Sequence, residues 1–406
     1  MKRKISSLLG QLFRVYVREF RVIFKDQGLL VFFILLPIAY PIIYSLIYNP
    51  ELVRDVPLVI VDHDRTQLSR EFVRRMDATQ EVWVKGYADD MPEARRALAG
   101  RDCFAILEIP ENFQKDLGRL DGADVVLYTD MTLMLRYKGF LMAATNVSQE
   151  MGAEIQKRDL QTDLPVAVSV NDPMKVQNIS MGDITGGFDS FVMPGVLILI
   201  LQQCIVLAIG MAGGAKREPS YITGYISFNE EPSVFMTMLG QMLSFMTIMI
   251  VPMLFLVHYV PMMFSFPMAG NTLQILAFLL PMVIGSICLG YCLQTIVLER
   301  ESIFVIWVVT SLIFLFLSGL TWPRFAMPSF WQYVGDCVPA TWGVEGFIRM
   351  NANGADLQQV SVEYKAMWIQ AGVYFVIAYL LQRFVMRPVV RANYPLTPEQ
   401  RASIEE

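Results

Sequence analysis

No Asp, Glu, Lys or Arg occurs in the 67 residues between Glu231 and Glu299. A water-soluble helix or strand does not carry so long a surface without charge, so this chain lives in a membrane. The run is too long for one crossing, since about 20 residues span the hydrocarbon core. Pro261, Pro267, Gly270 and Asn271 near its middle divide it into two spans and a tight hairpin. Other scarcities narrow the function. None of the ten lysines follows a glycine, so the G-x-x-x-x-G-K-S/T phosphate loop is missing, and with it that route to ATP hydrolysis. His63 and His258 are the only histidines, which serves nucleophilic or metal catalysis poorly. The five cysteines, Cys103, Cys204, Cys288, Cys292 and Cys337, are odd in number and mostly in apolar stretches. They read as packed thiols more than as a disulfide or metal framework. A bridge between Cys103 and Cys337, the two outside the expected spans, has no support.

What charge there is lies segregated. Residues 49–187 hold 16 Lys/Arg against 23 Asp/Glu, and form a soluble block in a chain that is 54% hydrophobic. Apolar runs at 57–62, 82–86, 103–109 and 125–129 alternate with helical patterns at 66–78, 90–99 and 111–120, which predicts a compact α/β domain. A long amphipathic pattern follows from 132 to about 160. Strand order does not follow from the pattern.

The remainder reads as spans. Residues 1–27 carry Leu8, Leu12, Val15, Phe20, Ile23 and Phe24 among Arg14, Arg18, Arg21 and Lys25, the pattern of an amphipathic helix on a membrane face rich in anionic lipid. The first span, 28–48, exceeds a signal-peptide core and no small-residue cleavage site follows it, so it reads as an uncleaved anchor kinked at Pro37 and Pro41. Five more spans are expected at 188–215, 234–260, 273–293, 302–320 and 366–383. Basic residues gather in the N-terminal arm, at Lys216–Arg217 and at Arg383, Arg387 and Arg391, which puts both termini in the cytoplasm and 49–187 outside. The expected fold is an α-helical polytopic membrane protein of six transmembrane helices with an inserted extracytoplasmic α/β domain. A tail, 387–406, with three prolines reads as a disordered cytoplasmic end.

Several residues invite a functional reading. Asp62-His63-Asp64 suggests metal ligands, but neighbours on a strand point to opposite faces; the better reading is that Asp62 or Asp64 caps the next helix. His258 is a titratable group inside a span, placed near its outer end where an interfacial ring suits it. Gln202 and Gln203 sit in the middle of the second span, and an amide in hydrocarbon needs either a partner on another helix or a polar cavity. Together these three are candidates for a translocation path. The methionines of the third span, Met236 to Met253, read either as an adaptable path or as lipid-facing filler. In 321–345, Phe330, Trp331 and Trp342 with Phe325 and Tyr333 are costly to leave in water, and place the segment at or within the outer leaflet.

Taken in order, these features resemble the permeases of type-2 ATP-binding-cassette exporters, in the subgroup with a large extracytoplasmic domain between spans one and two. Arg18-Glu19-Phe20 through Lys25-Asp26 resembles that family's interfacial helix, and Pro57 to Asp64 its first outer strand. Glu93 to Leu98 followed by Cys103 to Pro110 resembles its next helix and strand. The most specific part, Leu317-Ser318-Gly319 through Pro323 and Met327-Pro328 to Pro339-Ala340-Thr341-Trp342, resembles its outer re-entrant segment. The resemblance implies an outer gate at Phe330, Trp331 and Trp342. It also implies that the loop after span two contacts an ATPase subunit, with Arg217-Glu218 in the place of the family's Arg-Glu pair, Lys216 before it, and Glu230-Glu231 where a more basic coupling helix is expected.

On this reading the chain is a transport subunit and not an enzyme. It holds no cofactor or metal, since ATP and magnesium would be bound by cytoplasmic ABC ATPase partners. A second permease copy or paralogue, membrane lipids and a periplasmic adaptor complete the expected partners, with no nucleic acid, at a bacterial inner membrane. A membrane-anchored sensor or secretion scaffold using the outer domain to bind a ligand is the rival reading.

Overall fold

The computed structural model of the chain describes residues 2–48, 54–119, 122–130, 134–163, 188–215, 233–297 and 299–388. It divides into two compact units, residues 50–179 and the remainder.

The 50–179 unit is built on strands β1 (Val56–Asp62), β2 (Val82–Tyr87), β3 (Ala105–Ile109) and β4 (Val126–Thr129), in the spatial order β2-β1-β3-β4. β1 runs parallel to β2 and β3, and β4 runs antiparallel to β3. Strand periodicity sends Leu58, Ile60, Ala105 and Leu107 to one face, where helices Gln67–Asp77 and Met134–Asp163 cover them with Phe72, Met76, Phe140 and Val147. Val59, Val61 and Ile106 go to the other face, with Ala94 of helix Met91–Ala99. Burial on both faces explains why β1 reads as an unbroken apolar run.

The crossover from β1 leads to β2 on one side and the crossover from β2 returns past β1 to β3 on the other, so the carboxyl ends of β1 and β3 flank the point where such a sheet commonly opens a ligand crevice. Here the chain's own carboxylates bridge that point. Asp62 Oδ1 accepts from the backbone of Asp64 and Arg65, both at 3.0 Å, and Oδ2 accepts from Ser69 Oγ at 2.7 Å. Asp64 Oδ2 accepts from Thr66 Oγ1 at 2.5 Å and from Gln114 N, at the start of the next helix, at 3.0 Å. Neither aspartate is the cap expected from sequence: the turn they close leaves Thr66 in the capping position, its hydroxyl accepting from Ser69 N. His63 turns aside to the Glu108 carboxylate, 3.2 Å away.

Among the described residues of the other unit, five helices are long and apolar enough to cross a membrane: Gln27–Ile47, Val192–Ala215, Val234–Phe264, Thr272–Leu293 and Ser361–Met386. Ser302–Leu317 is as apolar but has only 16 residues. Val192–Ala215, buried along most of its length, is the central helix. Three wide π-helical turns, Val31–Leu35, Phe255–Tyr259 and Gln382–Met386, each end two residues before a proline: Pro37, Pro261 and Pro388. Proline removes one N–H and clashes with the carbonyl four residues back, and an extra residue in the preceding turn relieves both. Of the two prolines expected to kink the first span, Pro37 is preceded by such a widened turn, a common site of bending, and Pro41 lies inside the regular helix Leu36–Tyr48.

The N-terminal helix Lys2–Lys25 buries Gln11, Val15, Glu19 and Ile23, a row spaced four apart. Polar members of that row, with their neighbour Tyr16, meet the third span. Gln11 donates to Ser233 O at 3.0 Å and to Thr237 Oγ1, Glu19 accepts from Gln241, and Tyr16 lies 3.4 Å from Thr247. A Cβ on Gly240 would stand 2.9 Å from Leu12 O and Val15 Cβ, so only glycine permits this approach. The buried face thus departs from the apolar stripe read in the sequence, because it is fastened by hydrogen bonds; Leu9, Phe13 and Phe24 remain exposed. All five cysteines are free thiols.

Burial pushes the Cys103 thiol above its ordinary value, and the side chain is fully enclosed, so its alkylation reports opening of the 50–179 unit. Leu107→Ala, which removes a fully buried side chain beneath both helices, should cost about 2–5 kcal/mol. Peptide mapping of Cys103 modification across a urea series should show the midpoint shifted to lower urea; an unchanged midpoint would mean the sheet core does not hold this unit.

Candidate functional site

Two short helices, Ser329–Asp336 and Pro339–Asn353, form a hairpin whose turn at 337–338 is level with the middle of three spans. Backbone groups among apolar helices have no water to bond, so side chains must satisfy them. Gln202 of the second span accepts from Ala340 N at 2.7 Å, at the start of the second hairpin helix. From the last span, Gln370 donates to Asp336 O and Tyr374 to Cys337 O. Trp342 Nε1 adds a second donor to Asp336 O at 3.1 Å. Close packing completes the seat: a Cβ on Gly346 would fall 2.2 Å from the Phe278 ring of the fourth span.

Arg324 clasps the outside of this hairpin. Its guanidinium bonds the Asp336 carboxylate and, at 2.7 Å, Glu345, while lying 4.9 Å over the Trp342 ring. Farther along, Asn351 Nδ2 donates to Pro267 O at 2.6 Å and its carbonyl accepts from Ala269 N, which ties the hairpin to the loop between spans three and four.

A separate cavity of about 440 Å³ lies between the first span, the second span and Ser302–Leu317. Leu36, Val196, Leu199, Ile200, Leu312 and Leu315 make most of its wall, and no charged residue lines it among the described residues. Its polar groups are few. The Tyr40 hydroxyl donates to that of Tyr44 at 2.9 Å, and Ser311 is spent on Val308 O. Gln203 is only 6% exposed, yet neither its Oε1 nor its Nε2 has a partner among the described residues; the same holds for Trp307 Nε1.

Adjacent glutamines therefore do different things. Successive helix residues point about 100° apart, so Gln202 reaches the hairpin while Gln203 faces the cavity. His258 does not line the cavity: its Nδ1 lies 3.2 Å from Thr272 Oγ1, beside the loop joining spans three and four. Phe330 and Trp331 form an edge-to-face pair, 67% and 49% exposed, on the first hairpin helix, whereas Trp342 sits half-buried under Arg324. Lys216, Arg217, Glu218, Glu230 and Glu231 lie outside the described residues. Sequence reasoning passed over Trp307, Gln370 and Tyr374. The signal was there for the last two, as a hydrogen-bonding pair one helical turn apart in the middle of a span; Trp307 looks like any span aromatic until its indole N–H proves to be unpaired.

Residues 28–380 match a protein family described as ABC-2 family transporter protein. No curated protein matches the chain.

Gln202→Leu leaves the Ala340 N–H without its acceptor in an apolar setting, a loss of about 1–3 kcal/mol. Hydrogen exchange in a lipid nanodisc should accelerate across 336–343 in this variant while the 50–179 unit is unaffected. Wild-type rates across 336–343 would show that the amide does not hold the turn.

Proposed function

The chain belongs to the ABC-2 transporter family, and on that premise we propose that it is the permease subunit of an ATP-driven exporter, moving a hydrophobic or amphipathic substrate outward across a bacterial cytoplasmic membrane. Membership makes it a membrane component of an ABC transporter that works with a separate ATPase chain. The observation that carries the rest is the uncharged cavity walled by the first and second spans and Ser302–Leu317. An ionic cargo would need charged partners along its way, and these walls offer none.

In this reading Ser302–Leu317 is a sixth crossing. At 1.5 Å per residue its 16 residues reach about 24 Å, short of the roughly 30 Å hydrocarbon core. The hairpin packed above it makes up the remaining depth as a re-entrant element, with Phe330, Trp331 and Trp342 at the outer leaflet as its gate. Both termini face the cytoplasm and the α/β unit faces outward, where it meets an envelope adaptor. Two permease copies, or this chain and a paralogue, enclose the path. Closure of the ATPases is passed to the spans through 216–233, by Lys216, Arg217, Glu218, Glu230 and Glu231, and through the N-terminal helix fastened to the third span.

Two experiments test this arrangement. In a Cys337→Ser chain, Glu111→Cys should react with an impermeant maleimide added to intact cells and Thr397→Cys should not; labelling at both positions contradicts the topology. Combining Arg217→Glu with Glu218→Arg should leave insertion intact, release the co-purifying ATPase and abolish transport. Transport at the wild-type rate would remove the pair from the coupling mechanism.

A further inference from the structure

The cavity between the first span, the second span and Ser302–Leu317 ends on a built floor. Its lining stops at Leu36, Cys204 and Trp307. About one helical turn farther along the first and last of these helices, Phe32 and Phe304 meet edge to face, their ring centroids 5.5 Å apart. Leu29 and Ile303, on the same stretch of the two helices, are fully buried. Beyond them Arg300 Nη2 donates to both oxygens of Asp26, at 2.9 and 2.7 Å, with 20% and 7% of the two side chains exposed. The second span closes the third side: a Cβ on Gly28 would stand 2.5 Å from Met211 Cε, and one on Gly214 2.9 Å from the Arg300 backbone. Both partners of the ion pair lie at joints. Asp26 is the single residue between helices Lys2–Lys25 and Gln27–Leu30, with extended backbone (φ −92°, ψ 109°), and Arg300 stands just ahead of Ser302–Leu317. Element-terminal residues of this kind absorb the torsional change when helices swing.

We propose that this end of the cavity is an inner gate, in which the Phe32–Phe304 ring pair is the bar and the Asp26–Arg300 bond the latch that holds it. This rests on the reading of the cavity as the transport path and adds how cargo is admitted to it. A ring pair alone yields to a modest rotation of either helix. An ion pair largely withdrawn from water does not, because parting it leaves both charges short of solvent. Asp26 Oδ1 also accepts from Gly28 N and Leu29 N, so the carboxylate travels with the first span and Arg300 is the partner it leaves. The arm is helix Lys2–Lys25, which ends at Asp26 and is bonded to the head of the third span by Gln11, donating to Ser233 O at 3.0 Å. Displacement of 216–233, which leads into Ser233, draws on this arm, separates Asp26 from Arg300 and lets Phe32 and Phe304 part.

Two native thiols read the gate. Cys204 lines the cavity, while Cys288, fully buried on the fourth span, does not, so the first reports opening and the second general loosening of the bundle. The full chain in lipid nanodiscs, with both faces accessible, is treated with a charged methanethiosulfonate, and each cysteine is followed by peptide mapping. Arg300→Gln, which leaves the Asp26 cap in place, and Phe304→Ala, which removes the bar and keeps the latch, should each speed Cys204 modification at least about tenfold with Cys288 at its wild-type rate. Arg300→Lys, which keeps the charge, should stay near wild type. A wild-type Cys204 rate in either of the first two variants overturns the inference; so does a parallel rise at Cys288 in both, which would make the pair a structural staple. One arm needs no substitution: with the ATPase bound, wild-type Cys204 should react at least about tenfold faster in one nucleotide state than in the other, and Arg300→Gln fast in both. Equal wild-type rates overturn the latch. The two readings fail separately. Opening as expected, with ATP-driven export in proteoliposomes indifferent to a bulky adduct on Cys204, sinks the path and leaves the gate, whereas export blocked by that adduct, with wild-type rates in both variants, sinks the gate and leaves the path.

Discussion

A change of chain direction in the middle of a helix bundle is the constraint on which the membrane unit depends. The turn at 337–338 leaves carbonyls and amides among apolar helices; local backbone bonds meet Cys337 N, Val338 N and Val338 O, and side chains have to meet the rest. Gln202, Gln370, Tyr374 and Trp342 do so, drawing on the second span, the last span and the hairpin itself. Those residues look like isolated polar intrusions in apolar helices when taken singly. Together they give Asp336 O, Cys337 O and Ala340 N their partners, while Gln202 Nε2 and Gln370 Oε1 have none among the described residues. The fourth span contributes shape, with glycine on the hairpin admitting the Phe278 ring.

The N-terminal helix and the start of the first span are held on the same terms. Asp26 caps the first span, accepting from Gly28 N and Leu29 N, and is bonded at 2.7 Å by Arg300 from just ahead of Ser302–Leu317. Glu19, deeply buried, is bonded by Gln241 on the third span. Ion pairs and amide bonds of this sort are directional, and hydrophobic contact among helices in lipid is not. They fix which helices meet; apolar packing then fills the space around them. In the 50–179 unit, charge at the surface has the lesser task of trimming helix position. Arg74 and Arg75 hydrogen-bond Glu71, holding its carboxyl down at about 2, and Arg75 reaches Glu154 on the neighbouring helix.

Much of this architecture was legible because membrane and sheet impose simple periods. A charge-free run announces a crossing, and the apolar runs at 57–62 and 103–109 mark strands within a residue or two of Val56–Asp62 and Ala105–Ile109. Span ends were less legible: 234–260 continues to Phe264 and 366–383 widens to Ser361–Met386, since helices tolerate polar residues beyond the hydrocarbon core. Strand order was hidden because crossover direction depends on which face each helix covers, a property of pairs of elements. At the site, sequence singled out two neighbouring amides but could not assign them to different faces, because the second span is apolar all round and has no polar side from which to orient it. The aromatic content of 321–345 was visible from composition alone. The buried turn that organises it was not, since its partners are scattered from 202 to 374.

Gln202 and Gln203 share one rigid helix, and that makes the second span a lever with two arms. The amide of Gln202 holds the hairpin by a bond of 2.7 Å, and Gln203 is part of the cavity wall. Side chains end about 5 Å or more from a helix axis, so a rotation of about 20° carries such a tip by about 2 Å, enough to break one hydrogen bond and make another. Because both side chains ride on one helix, a rotation of that helix that breaks the bond to Ala340 also moves Gln203 in the cavity wall. The hairpin's position and the shape of the cavity wall are therefore set by one torsional coordinate of the second span.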